Sequence, residues 1–158
     1  MPKITINFLK NKIDHSGKYP VLDCQSELRT PKIIAKYKLE KAIIKKEWIS
    51  FKDYILVKIL KHRKSTKIKN SFLKNYSILR EKSLEFILTK NKFPYENFDH
   101  QILWIAYEKD IEKALNFAFE EYKDKDYIYF QNSLQTQSVK GVTHFHFLTP
   151  KKIYAKST

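Results

Sequence analysis

Three short apolar segments, residues 100–106, 126–130 and 142–148, alternate with one clean helical stripe at 110–123. In that stripe Ile111, Leu115, Ala118, Phe119 and Tyr122 recur at helical spacing and share one face. The apolar segments are too short for helices that bury all their sides, so they read as strands. The last third of the chain is therefore a β-α-β-β unit, and its helix needs a sheet to cover.

The front of the chain reads differently. Residues 1–31 are irregular, punctuated by Gly17, Pro20 and Pro31, with a short strand expected around Ile4–Phe8. Thr30 can cap a helix whose first residue is Pro31, and Ile33, Tyr37, Ile44 and Trp48 form its imperfect stripe. Ser50 can cap a second helix through Tyr54, Ile55, Val57, Ile59 and Leu60. The basic stretch 58–69 is expected to end it, where cations suit the helix dipole. Ser71 is read as the cap of a third helix, with Phe72, Tyr76, Leu79, Leu84, Phe86 and Ile87 on its core side. Phe93-Pro94-Tyr95 then breaks the helical pattern. The expected fold is α+β: a helical N-terminal part packed on a small, mainly antiparallel sheet with one amphipathic helix. A length of 158 residues fits a single domain, 1–158, with an irregular segment 1–31, a basic helical part 32–92, a β-α-β-β part 93–150 and a tail 151–158.

Charge is distributed unevenly. Residues 1–92 hold 23 Lys and Arg against 8 Asp and Glu; residues 93–158 hold 8 against 9. Such asymmetry suggests an anionic partner: a phosphorylated small molecule or nucleotide, nucleic acid, or an acidic protein. A genome biased toward lysine codons accounts for it equally well, since 28 of the 31 basic residues are Lys. Only Arg29, Arg63 and Arg80 carry the planar fork that grips phosphate in two places. The single cysteine, Cys24, permits no internal disulfide and suits a reducing compartment. No apolar run approaches the ~18–20 residues of a membrane span, and the first residues lack a signal-peptide core. The expectation is an intracellular protein, cytoplasmic or nuclear, with no membrane partner.

The candidate site is His144-Phe145-His146. Side chains alternate along a strand, so His144 and His146 share a face, about 7 Å apart, with Phe145 and Phe147 behind. This spacing is expected to present the pair rather than bury it. The preceding loop carries Asn132, Ser133, Gln135, Gln137 and Ser138, and Gly141 permits a tight approach. Amides and hydroxyls facing two imidazoles can bind phosphate or sugar oxygens. Three readings stay open. The pair can hold a metal, with His100, Asp99 or Glu96 completing the shell. It can act on a phosphate as nucleophile or acid–base group, with Arg63 and Lys64 holding the anion. Or it can fix neighbouring loops by hydrogen bonding. His100 and Trp104, four residues apart on one strand face, join the candidates if that strand neighbours the pair.

Asn132, Ser138-Val139 and His144-Phe145-His146-Phe147 resemble the late strand and upstream loop of the histidine-triad nucleotide-binding superfamily. By that resemblance His146 would be the nucleophile; Leu148 stands where the third histidine belongs. A wider resemblance runs over about residues 48–150. Trp48, Arg63-Lys64-Ser65, Tyr76, Phe86-Ile87-Leu88, Phe93-Pro94-Tyr95, His100 through Trp104, Tyr129 through Gln135 and Val142 through His146 are similar to the fungal N-acetylglucosamine-induced protein family. Tyr129, Gln131 and Thr143 stand where that family carries Trp, Lys and Glu. The resemblance implies His100, Trp104, Asn132, His144 and His146 as companions in one site. It implies no particular reaction and no known cofactor.

Overall fold

The computed structural model describes residues 4–23, 28–133, 139 and 141–151. Helix α1 spans Ile6–Lys10, and a two-residue strand β1 follows at Val21–Leu22. Helices α2 (Pro31–Glu47) and α3 (Phe51–Lys58) come next, then a hairpin of β2 (Arg63–Lys69) and β3 (Phe72–Ile78). Strands β4 (Phe86–Lys90) and β5 (Phe98–Ile105) lead into α4 (Ile111–Tyr122), and β6 (Ile128–Asn132) and β7 (Thr143–Pro150) complete the fold.

The main sheet has the order β1-β6-β7-β5-β4 and is antiparallel except where β1 meets β6. Helix α4 lays its apolar face on one side, burying Ala114, Leu115, Ala118 and Tyr122 against Leu103, Ile105, Phe145 and Phe147. The opposite face is covered twice. Residues of α1 pack Ile6 and Leu9 against Phe130 and Leu148. Residues of α3 pack Ile55 and Leu56 against Ile102 and Trp104. The α+β architecture expected from the sequence is therefore present, with the sheet as the middle of three layers.

Local signals explain most elements. Thr30 Oγ1 accepts from the Ile33 backbone N–H with Pro31 at the first helical position, as expected for α2. Ser50 caps α3 by accepting from the Asp53 N–H. Asp53 Oδ1 in turn accepts from both the backbone N–H and the hydroxyl of Ser77, tying α3 to β3.

Two expectations are overturned. The segment around Ile4–Phe8 is not a strand; Thr5 caps it as helix α1. More consequentially, there is no third helix from Ser71. Residues 63–78 pair as a hairpin from Arg63↔Ile78 to Lys69↔Phe72. Asn70 and Ser71 form its turn, both at positive φ (51° and 67°), which matches the twist of the flanking strands. The i, i+4 spacing of Phe72 and Tyr76 fits a helix, but the β-branched Thr66 and Ile68 and the Asn-Ser turn carry the competing signal. The hairpin docks where the Ile49 N–H donates to Asn75 O at 2.9 Å.

Because Ser71 holds a left-handed conformation that glycine adopts freely, Ser71→Gly is expected to stabilise the protein by about 0.5–1 kcal/mol in urea unfolding. A helical segment would be destabilised by the same change.

Candidate functional site

Register assembles the site. In the β5–β7 ladder, Trp104 lies opposite His144, Ile102 opposite His146 and His100 opposite Leu148. On the other flank Phe130 pairs with His146, and Asn132 sits two residues further on β6, beside Leu22 of β1. These residues all project to the face covered by α1 and α3.

The histidines are buried, not presented. His100, His144 and His146 are 5%, 6% and 3% exposed. Alternation does put His144 and His146 on one face, but helices α1 and α3 roof that face, so the pair is enclosed and not displayed on the surface. Each imidazole is matched by an aromatic ring. Trp104 lies 4.7 Å from His144, Phe130 lies 5.3 Å from His146 in a near-parallel stack, and Tyr95 lies 4.4 Å from His100.

Hydrogen bonds fix where the protons sit. The Tyr95 backbone N–H donates to His100 Nδ1 at 3.2 Å, so that nitrogen carries the lone pair. His100 then bears its proton on Nε2, which lies 2.7 Å from His146 Nδ1 and donates to it. His146 consequently holds its proton on Nε2, facing the Asn132 carboxamide, whose Nδ2 is placed 3.3 Å away. The two ends of a carboxamide are nearly equal in size, and the oxygen is the end that completes this chain. His144 stands outside the chain. Its Nδ1 lies 2.9 Å from the Val142 carbonyl oxygen, which only accepts, so Nδ1 carries the proton.

Burial keeps all three rings neutral. It pushes His100 down to about 3, assisted by the nearby Arg29 charge. Burial likewise holds His146 well below its ordinary value, with His100, His144 and Arg29 acting in the same direction. His144 is lowered by burial as well.

A cavity of about 480 Å³ opens in front of this face. His144, His146, Trp104 and Asn132 line it, together with Phe51, Ile55 and Ile102. His100 does not; it stands behind His146. The rim carries Arg29, Lys41, Lys58, Lys61, Lys90 and Lys92 and a single carboxylate, Glu40. Glu40 accepts from Lys92 Nζ and from the Tyr54 hydroxyl, each at 2.9 Å.

Four of the predicted residues thus converge on the cavity, with His100 supporting them. Arg63 and Lys64 do not: they stand exposed on β2, away from its lining. Ser138 and the loop amides Gln135 and Gln137 lie outside the described residues, as does Cys24. Sequence reasoning missed Arg29. Its Nε donates to the Phe93 carbonyl at 2.7 Å, and its guanidinium sits 4.6 Å over the Tyr95 ring. The available signal was its place directly before the Thr30-Pro31 helix start. Lys58 and Lys61 fall in the basic stretch noted from sequence, but at its beginning rather than at Arg63-Lys64.

The metal reading does not fit the arrangement of His100 and His146. Nitrogens bound to one tetrahedral zinc through arms of about 2.0–2.1 Å stand over ~3 Å apart. These two are 2.7 Å apart and share a proton. Among the described residues no group of three His, Cys, Asp or Glu is placed to hold a metal ion. No described helix is long and apolar enough to cross a membrane.

No family model and no curated protein matches the chain. One solved structure, described as the crystal structure of HTC1, is similar at 17% identity with a TM-score of 0.49, covering 78% of this chain and 76% of that one. A likeness at that level carries no function, and the site stands on its own residues.

Buried neutral histidines make stability depend on pH. The unfolded imidazoles take up protons near pH 6.5; the folded ones refuse them. Stability is therefore expected to fall as pH drops below about 6.5, by up to about 1.4 kcal/mol per pH unit for each histidine, a window that for His100 extends toward 3. Urea unfolding between pH 7.5 and pH 5.5 checks this, and His146→Gln is expected to flatten the slope by about one histidine's share.

Proposed function

We propose that the cavity binds a phosphorylated small molecule such as a nucleotide or a sugar phosphate. The observation that carries this reading is the pairing of an apolar, aromatic floor with a rim of six cations and one already-engaged carboxylate. A volume of about 480 Å³ falls in the range of small-molecule sites. Arg29 is oriented by Phe93 and Tyr95, and no carboxylate pairs with it among the described residues. Its fork suits a phosphoryl oxygen pair. Lys58 and Lys61 supply further charge from the end of α3. The flat or apolar part of the ligand lies against Trp104, Ile102 and Phe51, and Asn132 reads a polar edge.

Isothermal titration with ADP, uridine diphosphate glucose, glucose 6-phosphate and inorganic phosphate tests this reading. At least one organic phosphate is expected to bind, with affinity falling as salt rises. Arg29→Ala is expected to weaken it at least tenfold, the scale of a lost charge-assisted hydrogen bond. No binding by any of the four sinks the reading.

A second reading, nucleic-acid binding, is favoured by the hairpin. Residues 63–78 contain Arg63, Lys64, Lys67, Lys69 and Lys74 and no acidic residue. Four of these five cations are exposed. Under this reading, a Lys67→Glu, Lys69→Glu double variant lowers affinity for RNA or DNA and shallows its salt dependence in a mobility-shift titration. Unchanged affinity removes the hairpin from contention.

A further inference from the structure

We infer that His144, and not His146, is the reactive imidazole of the cavity, acting through Nε2 as the general base for hydrolysis of a phosphoanhydride. The inference rests on the reading of the cavity as a site for phosphorylated ligands.

The argument begins with lone pairs. The neutral rings of His100, His146 and His144 have one each. That of His100, on Nδ1, receives the Tyr95 N–H. That of His146, also on Nδ1, receives the His100 proton at 2.7 Å. Neither faces a ligand. His146 turns only an N–H outward, toward Asn132, so it can neither attack phosphorus nor accept a proton without breaking the chain. His144 has the opposite polarity. Its Nδ1 proton is spent on the Val142 carbonyl, which leaves the lone pair on Nε2. No described residue makes a hydrogen bond to that nitrogen, and the ring lines the cavity.

Position and support agree with this role. The ring is held from behind by its bond to Val142 and on its face by Trp104 at 4.7 Å, so it cannot swing away. Burial keeps it neutral, hence ready to accept. When Nε2 takes a proton, the new positive charge is delocalised toward Nδ1, whose bond to the Val142 carbonyl strengthens.

The step balances with water alone. Nε2 removes a proton as a water oxygen forms a bond to phosphorus. The bridging P–O bond breaks, and its electron pair leaves on the second phosphoryl group. The imidazolium then loses its proton to solvent. A phosphoanhydride suits a site with one base and no free acid, because a phosphate leaves without first being protonated. The lining carboxylate Glu40 is held by Lys92 and Tyr54 and cannot serve as that acid. Arg29 and the rim lysines neutralise the charge that develops on the phosphoryl oxygens.

Two measurements test this. In the wild-type protein, brief treatment with diethyl pyrocarbonate, which acylates unprotonated imidazole nitrogens, is mapped by peptide mass spectrometry. Among His100, His144 and His146, His144 is expected to be labelled first and to be protected by ADP. Labelling of His146 or His100 ahead of it overturns the assignment, whether or not any variant folds. Hydrolysis of ADP and of uridine diphosphate glucose is then followed by ion-exchange chromatography. His144→Gln is expected to bind within about threefold of wild type by titration and to lose 10²–10⁴-fold in kcat, roughly the share of a general base. Binding without turnover in the wild type, or full turnover in His144→Gln, overturns the general-base role while leaving the cavity reading intact. Absence of binding fails that reading, and the inference with it.

Discussion

The hydrogen bond between His100 and His146 depends on a register that admits no slip. His100 and His146 are diagonal neighbours across the β5–β7 ladder, the separation at which two long side chains on one face can just meet. A shift of β7 by one residue would send His144 and His146 to the α4 side and bring Phe145 and Phe147 to the cavity, leaving His100 without its partner. The two faces enforce the choice. Phe145 and Phe147 are fully buried beneath α4, among mostly aliphatic and aromatic side chains. The face that holds the histidines supplies a backbone N–H, a backbone carbonyl and a carboxamide. The register is set by where polar hydrogens can be received.

That constraint propagates to the cavity. Buried imidazoles are costly unless each nitrogen has a partner or water. The chain from Tyr95 through His100 and His146 to Asn132 settles four nitrogens, and Val142 settles a fifth. Among the described residues the sixth, His144 Nε2, has no hydrogen-bond partner, and its ring lines the cavity. Stacking by Tyr95, Phe130 and Trp104 removes the rotational freedom that would blur this pattern. In this arrangement reversing His100 would set an Nδ1 proton against the Tyr95 N–H, a donor against a donor. The cationic rim is drawn from the loop before α2, α2 itself, the end of α3 and the turn after it, and the end of β4 with the β4–β5 connection. Helix α3 contributes to both, giving Phe51 and Ile55 to the floor and Lys58 to the rim.

Much of the site was legible in the residues. His144, His146, His100, Trp104 and Asn132 were identifiable by strand alternation and by the resemblance they carry, and the register does gather them. What alternation could not reveal was their burial. A strand with polar residues on one face normally turns that face to water; here α1 and α3 cover it, and their covering residues are distant in sequence. The histidine tautomers were equally illegible, because they follow from Tyr95 and Val142 backbone groups that no side-chain pattern displays. Arg63 and Lys64 were chosen as anion-binding residues on the assumption of a helix, and in the hairpin they face solvent. Arg29 was passed over because a lone arginine in an irregular segment carries no periodic signal.

The sequence by itself determined the α+β class, the helix starts at Thr30 and Ser50, the amphipathic helix α4 and the strands that flank it, because each rests on local capping chemistry or on periodicity within a dozen residues. Tertiary structure alone decided that residues 63–78 form a hairpin, where helical and strand signals compete and contacts with α3 settle the matter. It also decided that the histidines are buried and neutral, that Arg29 rather than Arg63 reaches the cavity, and that His144 presents the lone pair. Each of these depends on groups brought together from positions far apart in the chain, and local propensity holds no record of that.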